Sequence, residues 1–252
     1  MILTKLRNAK LIHGDCLDVL PNLPDQSIDF ILADPPYGTT ACVWDSIIPL
    51  EPLWAQLKRV IKPNGAIALF GSQPFTTQLI GSNLPMFKYT WVWEKEQGTM
   101  PMNAPYQPLK VHEDIVVFSH RAATYSTKGT MAYYPIKTAG KPYKSGPRLS
   151  GKMQFHSSSA GQATKDNAGD RYPRSVIAFN TERGKHPTQK PVALLEYLIE
   201  TYTNAGEVVL DFTMGSGSTG VACLNTGRKF IGIELDSTFY QVALTRLSEC
   251  QI

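Results

Sequence analysis

Four consecutive residues, Asp34-Pro35-Pro36-Tyr37, close the apolar run Ile28-Asp29-Phe30-Ile31-Leu32-Ala33. The two prolines fix φ and have no N–H, which leaves the carbonyls of Asp34 and Pro35 without local donors. The tetrad thus sets a carboxylate, backbone acceptors and an aromatic face side by side. Together they suit a planar ring bearing an amino group, such as adenine or cytosine. For Asp-Pro-Pro alone, a strand-ending turn with a proline brake is the plainer alternative.

A second constellation lies near the other end of the chain. Gly215, Gly217 and Gly220 match G-x-G-x-x-G, and Glu234 follows Gly215 by 19 residues. Glycines let the backbone approach a ligand closely, and an acid at that distance can accept hydrogen bonds from both hydroxyls of a ribose. The loop follows the apolar run Val208-Val209-Leu210-Asp211, and Glu234 ends the run Phe230-Ile231-Gly232-Ile233. This strand-loop-helix-strand context indicates an adenosine-containing cofactor, with NAD and S-adenosylmethionine as the alternatives.

Both constellations need strands to hold them. Ile28 to Ala33 is too short for a typical helix and reads as a buried strand whose carboxyl end carries the tetrad, the edge where open α/β sheets bind ligands. Lys10 to His13 reads as a strand before Asp15 and Cys16, Glu51 to Ile61 as an amphipathic helix, and Ala66 to Phe70 as a strand after the turn Lys62-Pro63-Asn64-Gly65. Gly38 to Asp45 is a small-residue loop suited to moving over a ligand. Tyr89 to Trp93 and Ile115 to Phe118 are strand candidates around an irregular loop, Gly98 to Pro108. A helix from Val192 and another from near Ser237 complete the set.

Composition narrows the class. With 42% hydrophobic and 18% charged residues over 252 positions, the chain is globular, and no stretch is apolar enough to span a membrane. The first residues lack a signal-peptide layout, which places the expectation in the cytoplasm. The four cysteines form no C-x-x-C pair and the five histidines show no ligand spacing, so no metal site is expected. Between Ser119 and Lys185 there are 12 Lys or Arg against Asp166, Asp170 and Glu182, a net +9, leaving −5 for the rest of a chain whose total is +4. Tyrosines and phenylalanines are interleaved with these cations, a mixture suited to phosphates and unstacked bases.

With the two motifs in this order, the sequence resembles the β-group amino methyltransferases of DNA. In that family an Asp-Pro-Pro-Tyr motif precedes the target-recognition region, and a Phe-x-Gly-x-Gly cofactor motif lies near the C-terminus. The resemblance covers residues 10–118 and 185–250. It implies an α/β class I, Rossmann-like methyltransferase fold, circularly permuted, with seven mostly parallel strands, one of them reversed near the edge, and helices on both faces. Residues 1–118 would be the catalytic half, 119–185 a target-recognition insertion and 186–252 the cofactor half.

The implied activity is transfer of methyl from S-adenosylmethionine to N6 of an extruded adenine in DNA. Cytosine N4 and RNA are alternatives, and a nicotinamide-dependent oxidoreductase is the rival from another class. By the resemblance, Asp34 and the carbonyl of Pro35 accept from the target amine, Pro36 completes the turn, and Tyr37 stacks on the base. Asp211, Gly215 and Gly217 border the methionine part of the cofactor, with Thr188 and Lys190 near its carboxylate, and Asp34, Phe212, Thr213 and Ser216 are further cofactor-binding positions. Glu234 binds the ribose, and Asp15 with Cys16 the adenine. The family's Asp-Pro-Phe order is here Asp211-Phe212-Thr213, so Thr213 stands where a cofactor-packing Phe is usual. A homodimer and a cognate restriction endonuclease are partners that the resemblance leaves open.

Overall fold

The computed structural model describes residues 2–38, 46–99, 101–145, 165–182 and 189–250. Thr188, residues 39–45 of the loop expected to move over a ligand, and residues 146–164 of the basic segment lie outside the described residues. The chain divides into two compact units, Met1–Tyr134 with Ser175–Ile252, and Pro135–Arg174.

The larger unit contains, in chain order, β1 (Ile2–Lys5), β2 (Ala9–His13), α1 (Cys16–Val19), β3 (Ile28–Ala33), α2 (Leu50–Val60), β4 (Ile61–Gly71), α3 (Phe75–Ser82), β5 (Phe87–Thr99) and β6 (Lys110–Phe118). The smaller unit holds β7 (Thr138–Ala139), β8 (Tyr143–Ser145), β9 (Lys165–Asn167) and β10 (Asp170–Arg171). The larger unit then resumes with β11 (Val176–Ala178), α4 (Val192–Tyr202), β12 (Val208–Asp211), α5 (Ser218–Asn225), β13 (Lys229–Glu234) and α6 (Ser237–Glu249).

One nine-stranded sheet, in the order β1-β2-β13-β12-β3-β4-β6-β5-β11, organises the larger unit. From β2 to β4 all neighbours are parallel, and β6 is antiparallel to both β4 and β5. The seven strands from β2 to β5 are the implied pattern, with the reversed strand next to the edge. β1 and β11 extend it at either side; at four and three residues they carry too little pattern to be recognised in sequence. The first and last strands of the core, β2 and β13, are neighbours, with His13 opposite Glu234.

The central strands are apolar over residues 30–33 of β3 and 66–70 of β4 because both of their faces are covered there. Phe30 and Leu32 of β3 pack on the side of α4, α5 and α6, while Ile31 and Ala33 pack on the side of α1, α2 and α3. Each such large side chain contributes about 1.5–3 kcal/mol when removed from water. α2 buries Leu53, Trp54, Leu57 and Val60, one stripe at helical spacing. Trp91 and Trp93 of β5 are both core residues, donating from Nε1 to the Tyr202 hydroxyl at 2.7 Å and the Phe179 carbonyl at 2.8 Å. β5 continues to Thr99 and pairs there with Lys110, so Gly98 and Thr99 of the expected loop belong to a strand, while residues 101–108 are irregular as expected.

In the smaller unit β7 pairs with β10 and β8 with β9, both antiparallel. Arg171 lies over the Tyr143 ring at 4.6 Å and Lys137 over Tyr172 at 5.0 Å. Cations and rings of this segment therefore engage each other as cation–π pairs. Residues 119–134 and 175–182 belong to the larger unit, where Tyr133 lies against Tyr202 and Phe179 against Tyr197.

Candidate active site

The parallel strands β2, β13, β12 and β3 end on one edge of the sheet, and each ends near an acid: Asp15, Glu234, Asp211 and Asp34. Asp34 follows β3 directly. Its Oδ1 accepts from the Tyr37 hydroxyl at 2.6 Å, and its Oδ2 contacts the Lys190 ammonium. The Tyr37 ring is stacked on Phe75, with centroids 5.3 Å apart. Burial, then the nearby carboxylates of Asp34 and Glu113, push the Tyr37 hydroxyl well above its usual range, so it remains a neutral donor.

Lys190 is buried just ahead of α4, over the ring of Phe70 at 5.0 Å, and also faces Glu113 Oε2 at 3.3 Å. Glu113 in turn contacts Lys95, whose ammonium lies 4.8 Å from the centroid of Trp93. A chain of alternating charge, Asp34-Lys190-Glu113-Lys95, results. Burial opposes the charge on Lys190, but Asp34 and Glu113 outweigh it and hold the ammonium above its usual range. Burial likewise opposes the charge on Glu113, and Lys190 and Lys95 hold that carboxyl below its usual range. Neither Glu113 nor Lys95 stands out in the sequence.

The glycine loop meets the tetrad directly: the Thr213 hydroxyl donates to the carbonyl of Asp34 at 3.2 Å. Among the described residues no hydrogen bond reaches the carbonyl of Pro35, which leaves that acceptor available. Asp211 is buried beneath the loop, accepting from the Thr213 backbone N–H at 3.0 Å and the Thr219 hydroxyl at 2.6 Å. Burial pushes its carboxyl up to about 7, with Asp34 and Glu234 adding to the shift. Glu234 accepts from the N–H groups of Gly215 and Asp236, both at 2.8 Å, which fixes its orientation on the rim; burial raises its carboxyl above the usual range. Gly14 N–H donates to the Glu234 carbonyl at 2.9 Å and so ties the Asp15 turn to the same rim.

Asp15 caps α1 by accepting from Leu17 N–H at 2.8 Å, and Cys16 is buried behind it with its thiol pushed up to about 12, a neutral group. Phe212 is 1% exposed and sits in the core with Leu210 and Ile233, while Thr213 is half-buried and faces Asp34. Gly215 has φ +52°. Gly217, at φ +80°, has a packing reason of its own: a Cβ there would stand 2.7 Å from Leu247 of α6. Ser216 is buried, and its carbonyl accepts from Arg246 at 3.3 Å.

An acid-rich rim with a glycine turn and Glu234 at the neighbouring strand end suits a ligand that is cationic at one end and carries a ribose at the other. S-adenosylmethionine has that chemistry, with its sulfonium and α-amino groups. A dinucleotide would bring an anionic pyrophosphate to the same carboxylates, which is the wrong sign. Fold and site together define a Rossmann-like methyltransferase.

A family model described as DNA methylase, of the N6/N4 type, matches residues 28–245, and the chain belongs to that family. It is an S-adenosylmethionine-dependent DNA amino methyltransferase, of the class that modifies adenine N6 or cytosine N4. The chain is 31% identical over 249 residues to the DNA adenine methyltransferase YhdJ of Escherichia coli (strain K12), covering 94% of this chain and 82% of that protein. The crystal structure of the M1.HpyAVI–SAM complex is similar at a TM-score of 0.62 with 25% identity, over 95% of this chain and all of that one. The PvuII DNA methyltransferase, described as cytosine-N4-specific, shares the fold at a TM-score of 0.66 with 13% identity, over 98% and 92% of the two chains. The nicotinamide alternative is thereby corrected: the family is one of S-adenosylmethionine-dependent methylases. No helix among the described residues is long and apolar enough to cross a membrane, and none of their His, Cys, Asp or Glu clusters could hold a metal ion.

Proposed function

We propose that the protein methylates N6 of adenine in DNA, on a base extruded from the duplex. The observation that carries this reading is the bond from Thr213 to the Asp34 carbonyl, which brings the glycine loop and the amine-binding tetrad into one site. Asp rather than Ser at the first tetrad position favours adenine in this family, and a relative at 31% identity is named as an adenine enzyme.

Bound S-adenosylmethionine supplies the methyl group as an electrophile on sulfur. In this reading Asp34 and the Pro35 carbonyl accept the two amine hydrogens, which draws the nitrogen lone pair out of conjugation with the ring and toward the methyl group. A carboxylate has about four lone-pair sites, so Asp34 can accept from the amine while retaining Tyr37 and Lys190. Pro36 fixes the turn that aims these acceptors. Tyr37, stacked on Phe75, is the ring assigned to the face of the base. Glu234 takes the ribose, Asp15 and Cys16 border the adenine of the cofactor, and Thr213, Gly215, Ser216 and Gly217 border its methionine end, above Asp211 and Phe212. Lys190 has its charge engaged by Asp34 and Glu113, which favours a positioning role over direct contact with the methionine carboxylate. Thr188 is assigned there by resemblance alone. The basic segment 119–185 is the region we assign to target recognition.

Incubation of the protein with unmethylated DNA and labelled S-adenosylmethionine, followed by digestion and mass spectrometry of nucleosides, tests the reading. N6-methyladenine is expected and should disappear with Asp34→Ala. N4-methylcytosine in its place would move the assignment to the cytosine branch, and full activity of Asp34→Ala would refute the site.

A further inference from the structure

β5 and β6 continue beyond the carboxyl edge of the sheet. Pairing between β4 and β6 ends at Gly71 and Asp114, whereas β5 and β6 pair on through Trp93 with Glu113 and Glu94 with His112 and, after a bulge in β5, again at Thr99 with Lys110. Because β4 is parallel to β3 and β6 antiparallel to β4, this hairpin projects from the edge on which Asp34 stands. From Asp114 to Lys110 the strand advances about 13 Å, at roughly 3.3 Å per residue. The root of the hairpin holds Lys95 and Glu113 of the site, so the tip is mounted on the active centre itself.

The tip is ordered by its own hydrogen bonds. A 3₁₀ turn spans Pro101–Asn103, Ala104 N–H donates to the Pro101 carbonyl at 3.2 Å, and the N–H groups of Tyr106 and Gln107 donate to the Asn103 carbonyl at 2.9 and 3.0 Å. Pro101, Pro105 and Pro108 restrict it further. On this stiff support Met102 is 87% exposed and Tyr106 88%, with Leu109 and Val111 also exposed. Gln97 to His112 contains no acidic residue.

Several exposed apolar side chains on one braced projection mark an interaction site. We propose that the tip is a wedge for DNA: Met102 and Tyr106 enter the duplex beside the target and fill the stacking space that the extruded base leaves. The proposal rests on the DNA-methylation reading and assigns the hairpin a part in it. A thioether and an aromatic ring are suited to stacking against bases, and apolar wedges of this kind offset the cost of unstacking. The lack of acids removes repulsion from phosphates. A projection of about 13 Å also exceeds the depth of a B-DNA groove, about 8 Å, so the tip can reach the base stack.

The test compares two duplexes, after the methylated base has been mapped by sequencing DNA modified in vitro. In one the target is normally paired; in the other the nucleotide opposite it is abasic, so extrusion is easier. Met102→Ala/Tyr106→Ala is expected to slow methylation about tenfold or more on the paired duplex and less than about threefold on the abasic one. Tyr106→Phe, which keeps the ring, should stay within about twofold of wild type on both. Equal loss on both duplexes, no loss on either, or a loss that tracks dissociation of a dimer in sedimentation would overturn the wedge. A wild-type protein that methylates no DNA would refute the parent reading before any variant is compared.

Discussion

The Lys190 ammonium is in contact with the Asp34 carboxylate although 156 residues separate them in sequence. The same ammonium faces Glu113, so one cation keeps two acids apart. Removing it as Lys190→Met leaves Asp34 with only the Tyr37 hydroxyl and Glu113 with only Lys95 among the described residues, and chemical denaturation should show a loss of about 3 kcal/mol at neutral pH. Glu113 is held below its usual range, so its contribution is present above its unfolded value and disappears as acid protonates it. The penalty of Lys190→Met should therefore shrink in acid. Adding Glu113→Gln should restore part of the loss, which a double-mutant cycle would measure.

Glu234→Gln should weaken S-adenosylmethionine binding about tenfold to a hundredfold, because a charged acceptor for the ribose hydroxyls is worth about 1.5–3 kcal/mol. Calorimetric titration reads this directly. Glutamine retains one acceptor oxygen for Gly215 or Asp236, so thermal stability should change much less than affinity.

Thr213→Val removes the hydroxyl that joins the cofactor loop to Asp34 and keeps the volume. A net hydrogen bond is worth about 1 kcal/mol, so a roughly fivefold drop in methylation rate is expected, with the melting temperature little altered. An unchanged rate would show that the loop and tetrad hold their relative position without this bond.

Asp211 has a folded-state carboxyl pushed up to about 7 against an ordinary value of 3.8. A raised carboxyl is fully compatible with folding below the unfolded value, and the protein loses stability as pH rises through the folded value. Asp211→Asn, which cannot ionise, should melt higher than wild type at pH 8. The difference should narrow toward pH 4, as a series of melting curves without ligand would show.

The tetrad and the glycine loop were readable because local sequence determines them: two prolines force a turn after an apolar run, and Asp211 and Glu234 end strands whose apolar runs are buried, with Gly215 in the turn that follows the first. Lys95 and Glu113 were not readable. Each looks like the polar partner of an alternating strand, and only the register that sets Trp93 opposite Glu113 turns them toward Lys190. Phe212 and Thr213 show the same limit at finer scale. Motif spacing marks both, but the point at which β12 ends decides which faces inward, and Phe212 enters the core. Gly217 belongs to the motif and also to the contact with α6, a packing demand set by a helix far along the chain.

The pairing of Ala9 with Phe230, at the head of β2 and β13, also sets the order in which a growing chain can be completed. During synthesis β3, β4, β5 and β6 can associate as soon as they emerge, since their partners are close in sequence, whereas β2, paired at first only with β1, must wait for its inner neighbour, a strand made near the end. In the proposed site the tetrad can thus be placed early, and the ribose-binding position cannot exist until Glu234 has left the ribosome. A prematurely terminated product would hold the tetrad yet have nothing with which to charge it.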